Sequence, residues 1–144
     1  MTPTPSGRSE IPATVSPSGT PSVEVESLRA LLERGADLTV LDIRPRMERD
    51  EWFIPGSIHD DAYQDLKAGD PSALAGVALP TQTPVVVVCA RGNTSQIGTR
   101  VLRARGVEAY SLMGGMKAWS LAWNTAEVAS PNATLVQVRR TGKG

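Results

Sequence analysis

Hydrophobic residues follow two rhythms along this chain, unbroken runs and positions three or four residues apart, and the two rhythms alternate. Val85, Val86, Val87 and Val88 follow Pro84 with no polar interruption. A strand with one wet face alternates, so a run that is apolar at every position marks a strand buried on both faces, as at the centre of a parallel sheet. Residues 38–43 and 107–112, apolar with one or two polar interruptions, are read as further strands. Helical spacing appears between them. Val25, Leu28, Leu31 and Leu32 share one face of a helix, with Ser22 placed to cap it and Gly35 to end it. Ile97, Val101 and Leu102 predict a helix over residues 96–105, capped by Ser95 and closed by Gly106. Gly114-Gly115 permits a close turn into a helix carrying Met116 and Trp119. Shorter patterns predict a strand at 57–58 and a helical turn at 63–67. A short helix with a loop is predicted at 73–79, beyond the break at Gly69-Asp70-Pro71. The alternation of strand and helix predicts an α/β fold of three layers, a mostly parallel central sheet flanked by helices.

The two ends read differently. Residues 1–21 hold prolines at 3, 5, 12, 17 and 21 among Ser, Thr and Gly, too little apolar surface to offset the entropy of ordering, and are expected to form a disordered leader. Ser130-Pro131-Asn132 breaks the fold, and the segment from Leu135 through Val138 into Arg139 and Arg140 reads either as a strand with a basic turn or as a flexible tail. Residues 22–129 remain as one domain, in keeping with a chain of 144 residues.

Charge narrows the class of partner. Fifteen basic residues balance fifteen acidic ones, so no overall field recruits nucleic acid or an anionic membrane. The apolar runs are too short for a membrane helix, and the first residues lack the charged-then-apolar pattern of a secretory signal. A cytoplasmic location is expected, and it would keep a thiol reduced. One cysteine makes no internal disulfide and no zinc site built from several thiolates. His59, beside Asp60 and Asp61, reads as a solvated loop residue. Neither a metal nor a cofactor is expected.

The single cysteine, Cys89, ends the valine run and is followed by a short polar loop and a helix start. Open parallel sheets place their ligands at this carboxyl end of the strands. Amides of such a loop have no intrahelical partner and converge on whatever anion the loop encloses. A thiolate is such an anion, and it is the reactive form of cysteine. The plainer reading is a small buried hydrophobe at the end of a strand.

The loop Cys89-Ala90-Arg91-Gly92-Asn93-Thr94-Ser95 resembles the active-site loop of rhodanese-like sulfurtransferases. Two further segments agree in order and spacing. Leu41-Asp42-Ile43-Arg44 with Glu48, followed by Ile54-Pro55-Gly56-Ser57, is similar to the family's Leu-Asp-x-Arg-x-x-x-Glu and Ile-Pro-Gly-Ala signatures. Gly114-Gly115 with Trp119 is similar to its Gly-Gly-x-x-x-Trp ending. The resemblance covers roughly Val23 to Trp123 and departs at Arg49, Trp52 and Phe53, where the family has an aromatic residue and then Gly-His. Trp52 and Phe53 either cover the core or rim the pocket.

The resemblance implies a rhodanese-like fold and sulfur transfer from thiosulfate or a low-molecular-weight persulfide to a thiol or cyanide, through a persulfide on Cys89. Amides of Ala90, Arg91, Gly92, Asn93, Thr94 and Ser95 would hold the sulfur. Thr94 and Ser95 offer hydroxyls, and the Arg91 charge faces either the donor or solvent. Asp42 and Arg44 read as a local ion pair or turn cap from the sequence, and as supports of the loop from the resemblance. Glu48 is expected to be structural and paired with Arg44. The tail resembles the first strand of the metallo-β-lactamase-type domain fused to some members of the family. The alternative to an enzyme is a binding or sulfur-relay module that acts with a protein partner. A phosphatase is disfavoured, because its loop needs an arginine six residues after the cysteine and Ser95 stands there.

Overall fold

The structure, a computed structural model, describes residues 11–80 and 82–129. Six strands, β1 (Thr14–Val15), β2 (Pro21–Val23), β3 (Thr39–Asp42), β4 (Ile58–His59), β5 (Val85–Val88) and β6 (Ala109–Leu112), form one sheet. Five helices accompany them: α1 (Val25–Glu33), α2 (Arg46–Glu51), α3 (Tyr63–Ala68), α4 (Thr94–Ala104) and α5 (Gly115–Ala129). The strand order is β1-β2-β6-β5-β3-β4, parallel throughout except for the β1–β2 pair.

The valine strand is central, between β3 and β6, and all four valines are fully buried. Their side chains alternate between the two faces. Val86 and Val88 pack in one layer with Leu28 and Leu31 of α1 and Met116 and Trp119 of α5. Val85 and Val87 pack in the other with Leu66 of α3 and Leu102 of α4. After β5 the chain therefore leaves toward one face, and after β6 toward the other. The crevice between these two diverging connections is where open parallel sheets bind ligands, and Cys89 opens it.

Several expectations give way to tertiary context. The leader was expected to run through Pro21, yet residues 11–21 join the fold: Ile11 is buried in the first layer, and Val15 and Pro21 pair in an antiparallel hairpin. Hairpin hydrogen bonds and the neighbouring β6 supply what local composition does not. Residues 1–10 and the tail from residue 130 lie outside the described residues, as does its likeness to the start of a following domain. Ser22 caps nothing; it sits in β2 and donates its hydroxyl to the Thr20 carbonyl, while Glu24 precedes α1. No helix forms over residues 73–79: 73–76 make turns and 77–79 are irregular. There Asp70 accepts from the Ser72 amide and hydroxyl, and Leu74 takes a positive φ of 67°, incompatible with a helix. Helix α2 has no buried residue and so leaves no apolar period to read.

Arg100, Arg103 and Arg105 are exposed, but each is tied down. They donate to Thr20 Oγ1, to the Ala109 carbonyl and to the Pro71 carbonyl respectively.

Candidate active site

Cys89 follows the last valine of β5, so its Cα is held by the sheet while its side chain enters the loop that leads to α4. The residue is buried. Its Sγ accepts two backbone hydrogen bonds, from the Gly92 amide at 3.1 Å and the Ser95 amide at 3.2 Å. Ser95 lies in the first turn of α4, where amides have no intrahelical acceptor. The Gly92 amide reaches the sulfur because the chain turns through a φ of +91° there, a conformation that side chains resist. A Cβ at this position would also stand 2.7 Å from the Gly114 nitrogen.

The other side of the loop rests on α5. The Met116 amide donates to the Cys89 carbonyl at 2.8 Å and the Lys117 amide to the Ala90 carbonyl at 2.9 Å. The open N-terminus of one helix thus holds the loop's carbonyls, while the open N-terminus of another donates to its sulfur.

Of the six loop residues expected to cradle the sulfur, Gly92 and Ser95 donate to it, and Ala90, Arg91, Asn93 and Thr94 line the cavity above it. Ser95 does not cap α4. The helix begins at Thr94, and the Ser95 hydroxyl pairs with Ser111 Oγ of β6 at 2.7 Å, away from the sulfur. The cavity measures about 430 Å³. Its far wall is Tyr63 and Lys67 of α3, one helical turn apart, with the Lys67 ammonium 5.2 Å from the centre of the Tyr63 ring. Exposed Arg91 and Lys67 make the mouth of this cavity positive. The chain pattern predicts the 63–67 helical turn but not its place beside Cys89, which follows from α3 packing on α4 across the sheet face.

Asp42 and Arg44 do not line the cavity. They form a buried, bidentate ion pair: Arg44 Nε donates to Asp42 Oδ1 at 2.9 Å and Nη2 to Oδ2 at 2.6 Å. The Arg44 amide also donates to Oδ1 at 3.1 Å, so ion pair and turn cap are both realised. Arg44 pairs with Asp42 and not with Glu48, because the guanidinium is used up on that carboxylate and the Trp52 carbonyl. Arg49 bridges Asp42 and Ser57. His59 is half-buried, its Nε2 lying 2.7 Å from the Arg44 carbonyl, which corrects its reading as a solvated loop residue. Trp52 packs on the core. Phe53 is half-exposed beneath the Arg49 guanidinium, 3.9 Å above its ring, and neither aromatic rims the cavity.

This cluster ends β3, which pairs along its whole length with β5. Removing one partner of a buried pair strands the other charge, so Arg44→Met is expected to cost about 3 kcal/mol of unfolding free energy in a urea titration. A loss below about 1 kcal/mol would mean that water already solvates Asp42.

Among the described residues no helix is long and apolar enough to cross a membrane. The model of the rhodanese-like domain family matches residues 24–122. The thiosulfate sulfurtransferase GlpE of Pseudomonas fluorescens SBW25 is 33% identical over 112 residues, which cover 75% of this chain and 91% of that protein. The mouse adenylyltransferase and sulfurtransferase MOCS3 is 29% identical over 119 residues, 68% of this chain but only 25% of that longer protein. Among solved structures, the thiosulfate sulfurtransferase of Pseudomonas aeruginosa superimposes with a TM-score of 0.54 at 32% identity, covering 72% of this chain and 19% of that one. A rhodanese homologue from the extremely thermophilic bacterium Thermus thermophilus gives 0.50 at 33% identity; the match covers 67% of this chain and 98% of that one. The family match runs from the residue before α1 into α5 and takes in the whole cysteine loop, and on that extent the chain belongs to the rhodanese-like domain family.

Proposed function

We propose that the protein is a sulfurtransferase that carries sulfane sulfur on Cys89. The observation that carries this reading is the pair of amide donors on Sγ at the floor of a cavity with a positive mouth. Preorganised amides favour a sulfur that bears negative charge, whether the thiolate before the reaction or the terminal sulfur of a persulfide after it. Arg91 and Lys67 draw in an anionic donor such as thiosulfate.

The Cys89 thiolate attacks the outer sulfur of thiosulfate. The new Cys89 S–S bond forms as the sulfur–sulfur bond of the donor breaks, and sulfite leaves with the electron pair. A second nucleophile, cyanide or a thiolate, then attacks the terminal sulfur, and Cys89 departs as the thiolate it began as. No external oxidant or reductant is needed, and the course is ping-pong through a covalent intermediate. A thiol used in this way suits a reducing compartment such as the cytoplasm. Asp42 and Arg44 act at a distance, by holding the strand beside β5.

Intact mass of the purified chain tests the reading. Thiosulfate should add one sulfur, about 32 mass units, and cyanide should remove it. A gain from a loaded protein donor but none from thiosulfate would favour the second reading, a relay module. That reading draws support from the mouse MOCS3 relative, in which the matching region is a quarter of a longer chain. No gain from any donor would end both. Phosphate-ester chemistry lacks its key group here, since the sixth residue after the cysteine is Ser95 and its hydroxyl is bonded to Ser111.

A further inference from the structure

Gln96 is half-buried in the first turn of α4, and its side-chain amide is committed at both ends. Its oxygen accepts from Ser16 Oγ at 3.0 Å and from Ser18 Oγ, and its nitrogen donates to the Gly92 carbonyl at 2.8 Å. The orientation follows from the partners: a carbonyl only accepts, so the NH₂ faces Gly92, and hydroxyls give their protons to the remaining oxygen. Gly92 is therefore gripped on both sides, its carbonyl by Gln96 and its amide by Cys89 Sγ. Glycine has the widest conformational freedom of any residue, so a loop that aims a glycine amide at one atom needs such an external grip.

The two serines belong to the turn that joins β1 to β2. The turn is closed by the Ser16 amide on the Thr20 carbonyl at 2.9 Å and the Thr20 amide on Ser16 Oγ at 3.1 Å. Arg100, four residues beyond Gln96 and on the same side of α4, donates to Thr20 Oγ1 at 2.7 Å. A polar path thus runs from the N-terminal hairpin through Gln96 to the Gly92 backbone and the catalytic sulfur.

We infer that Gln96 is a positioning residue that keeps the Gly92 amide on the Cys89 sulfur, and that the Ser16–Ser18 turn holds Gln96 in that posture. The kinetic consequence rests on the sulfurtransferase reading; the effect on the loop does not. Gln96→Met removes both grips. Gln96→Glu keeps an acceptor for the serines but sets a carboxylate against the Gly92 carbonyl, and Gln96→Lys restores a donor to that carbonyl without the serine contacts. Ser16→Ala with Ser18→Ala removes the outer hold alone.

The test is amide hydrogen exchange at Gly92 and Ser95 in the full chain, with the Val87 amide as an internal standard, alongside single-turnover persulfide formation. Gln96→Met and Gln96→Glu should exchange at Gly92 at least about tenfold faster with Val87 unchanged. They should form persulfide about fivefold more slowly at an unchanged donor KM, the effect of roughly one net hydrogen bond. Gln96→Lys should recover most of both losses, and the serine pair should show a smaller change in the same direction. Wild-type exchange at Gly92 in all four variants would overturn the inference, and so would fast exchange combined with a wild-type persulfide rate. If Gln96→Met fails to fold, lost Val87 protection reveals it, and Gln96→Lys with the serine pair then decides. If the wild-type chain takes sulfur from no donor, the sulfurtransferase reading falls while the exchange data still judge Gln96.

Discussion

Cys89→Ser should abolish sulfur uptake, with no mass gain from thiosulfate and a fall in thiosulfate-to-cyanide transfer of roughly 10³-fold or more. The loop aims the Gly92 and Ser95 amides at Sγ, an arrangement that under the proposed function favours a negatively charged sulfur, whereas a serine hydroxyl stays protonated in the same place. It is then a poor nucleophile that forms no persulfide. The fold should survive, because the substitution is nearly isosteric and the loop is held by other contacts, including the Met116 and Lys117 amides on the Cys89 and Ala90 carbonyls. Thermal unfolding within a few degrees of wild type, together with lost transfer, separates chemistry from folding. A serine variant that still gained cyanide-labile sulfur would remove Cys89 from the mechanism, since the chain has no other cysteine.

Gly115→Ala should be among the most damaging single substitutions, costing about 4 kcal/mol or more of stability and most of the activity. Gly115 opens α5 with a φ of +60° directly beneath the cysteine loop. A Cβ there would collide with the Cys89 carbonyl oxygen and lie 2.7 Å from both the Ala90 carbonyl carbon and the Arg91 nitrogen. All three are backbone atoms, so no side chain can swing aside. Either α5 or the loop must retreat, and the amide contacts to the Cys89 and Ala90 carbonyls are lost with that movement. Gly35→Ala is the control: its φ is +73°, yet a Cβ there meets nothing within 4 Å, so only backbone strain of about 1–2 kcal/mol is at stake. Equal losses for the two variants in urea unfolding would show that the close approach of α5 to the loop is not needed.

Both expected results come from the meeting of two helix ends at one loop. Amides at the start of α4 and in the turn before it donate to the sulfur, and those at the start of α5 donate to the carbonyls. A single loop residue, Gly92, lies against Gly114 on one side and Gln96 on the other. The motif Gly114-Gly115 is therefore part of the scaffold of the Cys89 loop, although it stands well beyond α4 along the chain.

Much of this was written in local patterns. The four valines determine a central strand, because only a strand covered on both faces has no wet position to mark. The helices carried by Leu28 and Leu31 and by Leu102 follow from apolar spacing, and the place of Cys89 follows from the rule that parallel sheets act at the carboxyl ends of their strands. What the chain by itself left undecided depends on atoms brought together from distant segments. The hairpin at residues 14–23 has a disordered composition, and it is ordered by pairing with β6 and by the grip of α4 on its turn. The Ser95 hydroxyl looked available to the substrate until β6 placed Ser111 against it. Lys67 reaches the cavity only because α3 packs beside α4. Periodicity reports which face of an element is buried; it carries no record of which other element does the burying, and that choice decided who stands around the sulfur.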